Sequence, residues 1–259
     1  MNEKALPFTS FPGKNNLCLT DRFRGLSAGT LRMLAMVTML LDHVGVVIIG
    51  KTFPGTLLIS GASGYQALRA IGRMSCPIYA FLLTEGFLHT KDLKRYLARM
   101  ACLALVSEIP FDLAFFGVPL EFSCQNNVFT LFFSLLMLAV LRKSEKRRFL
   151  YLPILCFGCA ATYLLRTDYA VALPLLVGSF YLLRKDRLAG FLSGAAIVTL
   201  VNVSFGSLSG LVSGVISLFL VWFLYNGRKG RSPRAFSYTF YPLHLFILWL
   251  VAAMLLPSA

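Results

Sequence analysis

The chain has 259 residues, is 57% hydrophobic with a mean hydropathy of +0.72, and carries a net charge of +14. That apolar content excludes an ordinary soluble domain, which would aggregate, and fits an all-α, polytopic membrane bundle. The charge does not mark nucleic-acid binding, because the basic residues sit in short breaks between hydrophobic runs.

Residues 1–26 contain scattered Lys and Arg and no apolar stretch, so they read as a flexible cytoplasmic segment rather than a cleavable signal peptide. Residues 27–259 read as one membrane domain. Nine hydrophobic runs follow in chain order, at roughly 31–50, 65–88, 96–117, 128–141, 149–165, 169–183, 188–205, 208–225 and 237–255. Several are shorter than the roughly 20 residues of a simple span and imply tilt or local thinning. The breaks alternate in charge. Those before run one and after runs two, four, six and eight hold 19 of the 25 Lys and Arg, whereas the opposite breaks hold only Lys51 and Arg166. The positive-inside rule then predicts nine transmembrane helices with the N-terminus in and the C-terminus out. Six cysteines fall mostly within the runs and read as small apolar packing residues, Cys156 and Cys159 included.

Within this apolar background the ionisable residues stand out. Asp42 and His43 are adjacent in run one; Arg69, Arg73, Glu85 and His89 follow in run two, Glu108 and Asp112 in run three, and His244 in run nine. A charge at the centre of a membrane helix costs roughly 2.5–3.5 kcal/mol on insertion scales, so such residues mark ion pathways, proton relays or catalysis. The topology places Asp42, His43, Arg69, Arg73, Glu108 and Asp112 in the outer half, near the loop residues Asn126, Asn127 and Asp168. They are expected to converge on one outward-opening site. Glu85 and His89 fall at the inner end, with His89 expected in solvent. Asp42 beside His43 reads as a carboxylate that raises imidazole basicity. Arg73 reads as a partner for Glu108 or Asp112, and Pro110 between these two as a kink. Arg32, Met36, Met39 and His43 form one helical stripe, which either lines a groove leading from the inner face or packs in the core. No group of metal-ligating residues is predicted.

Several strings carry a resemblance: LRMLAMVTMLLDHVG (31–45), RAIGRMSCPIYAFLLTEGF (69–87), VSEIPFD (106–112), NVFTL (127–131), Asp168-Tyr169, YNG (225–227) and FYPLHL (240–245). In these strings the chain resembles the TraX family, whose namesake is linked to N-terminal acetylation of pilin in conjugation. That family looks related to the wider group of transmembrane acyltransferases, which carry an Arg and a His in the first span as Arg32 and His43 are here. The resemblance implies that residues 27–259 form a membrane acyltransferase domain with His43 catalytic and cytosolic acetyl-CoA, or another acyl-CoA, as donor. The acceptor stays open among a pilin-like peptide, a surface glycan and a small amine.

Sequence and resemblance together predict a multi-pass acyltransferase of the cell membrane. In it His43, supported by Asp42, is the general base or acyl carrier. Arg69, Arg73, Glu108, Asp112, Asn127 and Asp168 bind substrate, while Arg32, Glu85 and His244 stand on the donor side. A proton-coupled transporter or flippase using Asp42, Glu108 and Asp112 is the alternative, although no internal repeat is visible. A non-enzymatic membrane chaperone would have no need of the ionisable cluster.

Overall fold

The structure is a computed structural model that describes residues 25–52, 62–204, 207–231 and 234–255. The N-terminal segment before Gly25 and the C-terminal Ala259 lie outside the described residues, as do residues 53–61. All regular elements among the described residues are helical, and two isolated bridges are the only β-type pairings.

Among the described residues, ten helices of eleven residues or more follow the hydrophobic runs. α1 (Ala28–His43) continues through a π-helical turn, Val44–Ile49, into Gly50–Thr52. Then come α2 (Ala62–Gly72), α3 (Ser75–His89), α4 (Leu93–Phe116), α5 (Asn127–Lys143), α6 (Tyr151–Leu164), α7 (Ala172–Leu182), α8 (Arg187–Ser204), α9 (Leu208–Phe219, prolonged by a π turn Leu220–Leu224) and α10 (Arg234–Leu255). Run two, read as one span over 65–88, is two helices broken at Arg73–Met74. The cause lies in the sequence. Pro77 has no N–H to donate back to residue 73, so it favours a position in the first turn of a new helix. The Ser75 hydroxyl closes the break by donating to the Gly72 carbonyl at 2.8 Å. Pro110, by contrast, is accommodated inside α4, which runs without interruption for 24 residues.

Polar side chains set the ends. Ser27, Asp92, Asn126 and Ser207 accept from backbone N–H groups at the starts of α1, α4, α5 and α9, and Gly117 ends α4 in the left-handed region at φ 78°. The basic loop 226–231 also caps α1, because the Arg228 and Lys229 carbonyls accept from Ala28 and Gly29 N–H, each at 2.9 Å. Gly230, at φ 65°, lies so close to the Ser27 hydroxyl that a Cβ would overlap it. Leu26 is held against this loop by bonds to the Leu224 carbonyl and from the Asn226 N–H. Leu26, the last residue of the segment expected to be flexible, is thus held in place, and residues 1–24 lie outside the described residues.

The core includes Leu31, Ala35, Ile78, Phe81, Phe87, Leu135, Leu138, Val177 and Phe180, all fully buried. α4 packs between α10 and α5, α1 lies against α2 and α3, and α7 is shared by α3, α5, α6 and α8. The outward surface is unusually apolar. Phe157 and Leu164 of α6, Leu200 of α8, Leu208 of α9 and Met254 of α10 are each at least 70% exposed. Two stretches, Ala28–Ile49 and Phe236–Leu255, are long and apolar enough to cross a membrane by length and composition.

Candidate active site

His43 ends the regular part of α1, and His244 lies halfway along α10. Their rings meet, with His43 Nδ1 2.7 Å from His244 Nε2. His244 Nδ1–H donates to the Phe240 carbonyl one turn earlier, also at 2.7 Å. Aromatic side chains fix both rings: Phe115 stands edge-on to His43 at 5.4 Å, Phe240 stacks on His244 at 4.7 Å, and Tyr241 approaches both. His244 is buried and His43 partly exposed. The separate depths expected for the two histidines are thus corrected, since a shared hydrogen bond puts them at one level.

The expected support of His43 by Asp42 is corrected as well. Asp42 turns to Arg69, whose Nη1 donates to Oδ2 at 2.5 Å. Consecutive helix residues point about 100° apart, so adjacency in sequence carries the two side chains to different neighbours. Gly72 makes the ion pair possible, because a Cβ there would overlap Asp42.

Arg73 does not pair with Glu108 or Asp112. Its guanidinium donates to the Tyr169 hydroxyl at 3.3 Å and lies over that ring at 5.6 Å. The turn that presents Tyr169 uses two left-handed residues, Arg166 (φ 51°) and Tyr169 (φ 56°). Asp168 between them is the nearby loop carboxyl. Burial pushes it up to about 6, against the pull of Arg73.

The α4 carboxylates are held by the loop before α5. Glu108 accepts from the backbone N–H of Asn126 at 3.2 Å and from its side-chain amide. Asp112 accepts from the Glu121 N–H at 3.0 Å. Asn126 is fully buried; its amide also donates to the Ala104 carbonyl, and its oxygen caps α5. The loop reaches this depth because Gln125 pairs with the second loop: its N–H donates to the Arg166 carbonyl, and its carbonyl accepts from the Asp168 N–H.

Asp168 lies within electrostatic reach of Arg73, Asp42 and Arg69, so these outer groups do come together. The large cavity, about 880 Å³, lies toward the end of the bundle that carries the basic loops. Arg32, Lys91, Arg95, Arg99 and Lys229 line it together with Glu85, His89 and five tyrosines: Tyr79, Tyr96, Tyr225, Tyr238 and Tyr241. Its wall on α1 runs from Ala28 to Met39, twelve residues or about 16 Å of helix. Beyond Met39 the next position of the same stripe is His43. Phe240 and Tyr241 belong both to the cavity wall and to the surroundings of the histidine pair. Of the residues expected to bind substrate on the outer side, only Asn127 lines this cavity. Glu85 accepts from the Tyr225 hydroxyl at 2.7 Å. His89 is exposed, as expected; it also lines the cavity and donates from Nδ1–H to the Glu85 carbonyl. Among the described residues no three or more His, Cys, Asp or Glu are grouped to hold a metal.

The family model for TraX protein matches residues 27–252, nearly the whole membrane domain. The chain belongs to the TraX family. A curated relative, the "Probable fimbrial assembly protein FimC, serogroup H1" of Dichelobacter nodosus, is 28% identical across 86% of this chain and 94% of its own length. No solved structure matches. The match to the TraX family covers every residue named above at the histidine pair and the cavity. The sequence did not single out Tyr241, and it marked Asn126 only as a loop residue of the outer site and Lys91, Arg95 and Lys229 only as part of the basic loops. Tyr241, one turn before His244, was legible as a neighbour of that histidine. Asn126, ahead of an apolar run, carried a visible N-cap signal.

Proposed function

We propose that this protein is a multi-pass acyltransferase of the cell membrane that takes an acyl group from acyl-CoA bound in the basic cavity and passes it on at His43. The observation that carries the reading is the cavity itself, basic at one end and reaching Phe240 and Tyr241 beside the histidine pair at the other. Its volume is within the range of small-molecule and cofactor sites, roughly 300–1,000 Å³. Lys91, Arg95, Arg99 and Lys229 suit the phosphates of CoA, and the tyrosine-lined depth suits the uncharged pantetheine arm. His43 Nε2 takes the proton of the acceptor amine or hydroxyl as the acceptor attacks the thioester carbonyl. The carbon–sulfur bond then breaks, and CoA leaves as its thiol once protonated.

The proposal includes nine spans with the N-terminus in and the C-terminus out. In that topology the basic cavity mouth faces the cytosol, where acyl-CoA is found. The alternation of basic loops favours it, as do the exposed apolar side chains on α6, α8, α9 and α10. Four shorter apolar helices, among them Ala172–Leu182, would cross a locally thinned bilayer. The fimbrial relative favours a pilin-type acceptor.

Isothermal titration of CoA into the purified protein in nanodiscs tests the donor site. One CoA should bind per chain, and Arg95→Ala combined with Arg99→Ala should weaken binding about tenfold or more, at roughly 1.4 kcal/mol per decade. Absence of CoA binding by the folded protein would overturn the reading.

A further inference from the structure

We infer that His244 is a positioning residue that fixes the His43 proton on Nδ1 and so leaves Nε2 as the basic nitrogen. The inference rests on the reading of His43 as the acyl-transfer base and adds what sets its tautomer.

The proton assignment follows from hydrogen-bonding capacity. The Phe240 carbonyl can only accept, so the His244 Nδ1 that lies 2.7 Å away carries a proton. A neutral imidazole protonated at Nδ1 has its lone pair at Nε2. That lone pair faces His43 Nδ1 at 2.7 Å, and the bond needs one proton, which only His43 can supply. His43 is then Nδ1–H, with a free lone pair at Nε2. A proton on His244 Nε2 would reverse the order. His43 Nδ1 would become the acceptor, its proton would move to Nε2, and the base would be lost.

The ring geometry agrees. The planes are within 5° of parallel and the centroids 5.0 Å apart. A nitrogen–nitrogen distance of 2.7 Å is too short for rings stacked face to face. The two imidazoles are therefore nearly coplanar and joined edge to edge, with the proton in the plane of both. Many catalytic histidines have a carboxylate in this place. The nearest candidate in sequence, Asp42, is committed to Arg69. A second imidazole, anchored by a backbone carbonyl and a stacked Phe240 ring, takes the carboxylate's place. When His43 Nε2 gains the acceptor's proton, Nδ1–H remains bonded to His244, so no rearrangement accompanies the step.

The chain has three histidines, His43, His89 and His244, so ¹⁵N-histidine NMR of the protein in nanodiscs can be assigned by single substitutions. The wild type should give a pyrrole-type Nδ1 and a pyridine-type Nε2 for His43, and a pyrrole-type Nδ1 for His244. His244→Phe should mix the His43 tautomers and lower kcat at least about tenfold, with KM for the acyl donor within about twofold. His244→Gln, whose Oε1 can accept the same proton, should restore much of kcat. A wild-type His43 protonated at Nε2 would overturn the inference, as would a His244→Phe protein that keeps both tautomer and kcat. The assigned tautomer in a protein whose His43→Ala variant stays fully active would refute the base reading and leave the His244 assignment standing.

Discussion

Asp42 shows how far single residues could be read. Its presence in an apolar helix was visible, and so was its significance as a group that needs a partner. The partner was not, because the carboxylate reaches across to α2 through a gap that depends on Gly72 having no side chain. Helical phase alone would have separated it from His43. The pair also decides what each substitution reports. Removing Arg69 leaves a buried carboxylate without its cation, which costs about 3–5 kcal/mol in comparable buried pairs. Arg69→Ala should therefore lower the unfolding temperature in detergent markedly, and adding Asp42→Asn should recover most of the loss. Unfolding curves of the two single variants and the double variant form the test, and purely additive losses would contradict the pairing. Asp42→Asn alone should affect stability far more than the chemistry of His43, since no hydrogen bond joins the two side chains.

At the scale of elements, each hydrophobic run located helix among the described residues, and Pro77 carried the break inside run two that they missed. The loops were harder. Residues 117–126 and 166–168 looked like surface connections, yet their backbones bond to each other and carry Asn126 into the core. Such pairing between distant segments leaves no periodic trace in sequence. Asn126 concentrates the consequences, since it caps α5, bridges to α4 through Ala104 and holds one carboxylate oxygen of Glu108. Asn126→Ala should cost about 1 kcal/mol for the cap, with about 1–3 kcal/mol more for the Glu108 and Ala104 groups left without a donor. Thermal unfolding should show this loss, and a variant as stable as wild type would mean that the loop is not held at this point. Gly230→Ala should disturb the cap of α1 in the same assay, because the added methyl meets the Ser27 hydroxyl.

For the whole molecule, charge distribution was the most legible property, and the position of the cavity the least. The expectation of one outward-opening site grouped residues by depth alone. Packing brings Asp42, Arg69, Arg73 and Asp168 together, gives the histidine pair and the α4 carboxylates partners of their own, and opens the large cavity among the basic loops. Depth along a helix is readable from sequence, whereas the side of the bundle that encloses space depends on how helices pair. The proposed topology makes a direct prediction. Single cysteines placed at Lys146 and Lys229 should be labelled from the cytosol, and one at Glu121 from outside. Cytosolic labelling at Glu121 would refute the nine-span arrangement. The central claim is that His43 moves an acyl group delivered from the cavity. Its most direct test is transfer from radiolabelled acetyl-CoA by the purified protein in nanodiscs, with a pilin-type peptide as acceptor and His43→Ala as the comparison. The account predicts labelled peptide with the wild type and a rate about 10²–10⁴-fold lower for the variant; a His43→Ala protein that transfers at the wild-type rate would contradict it.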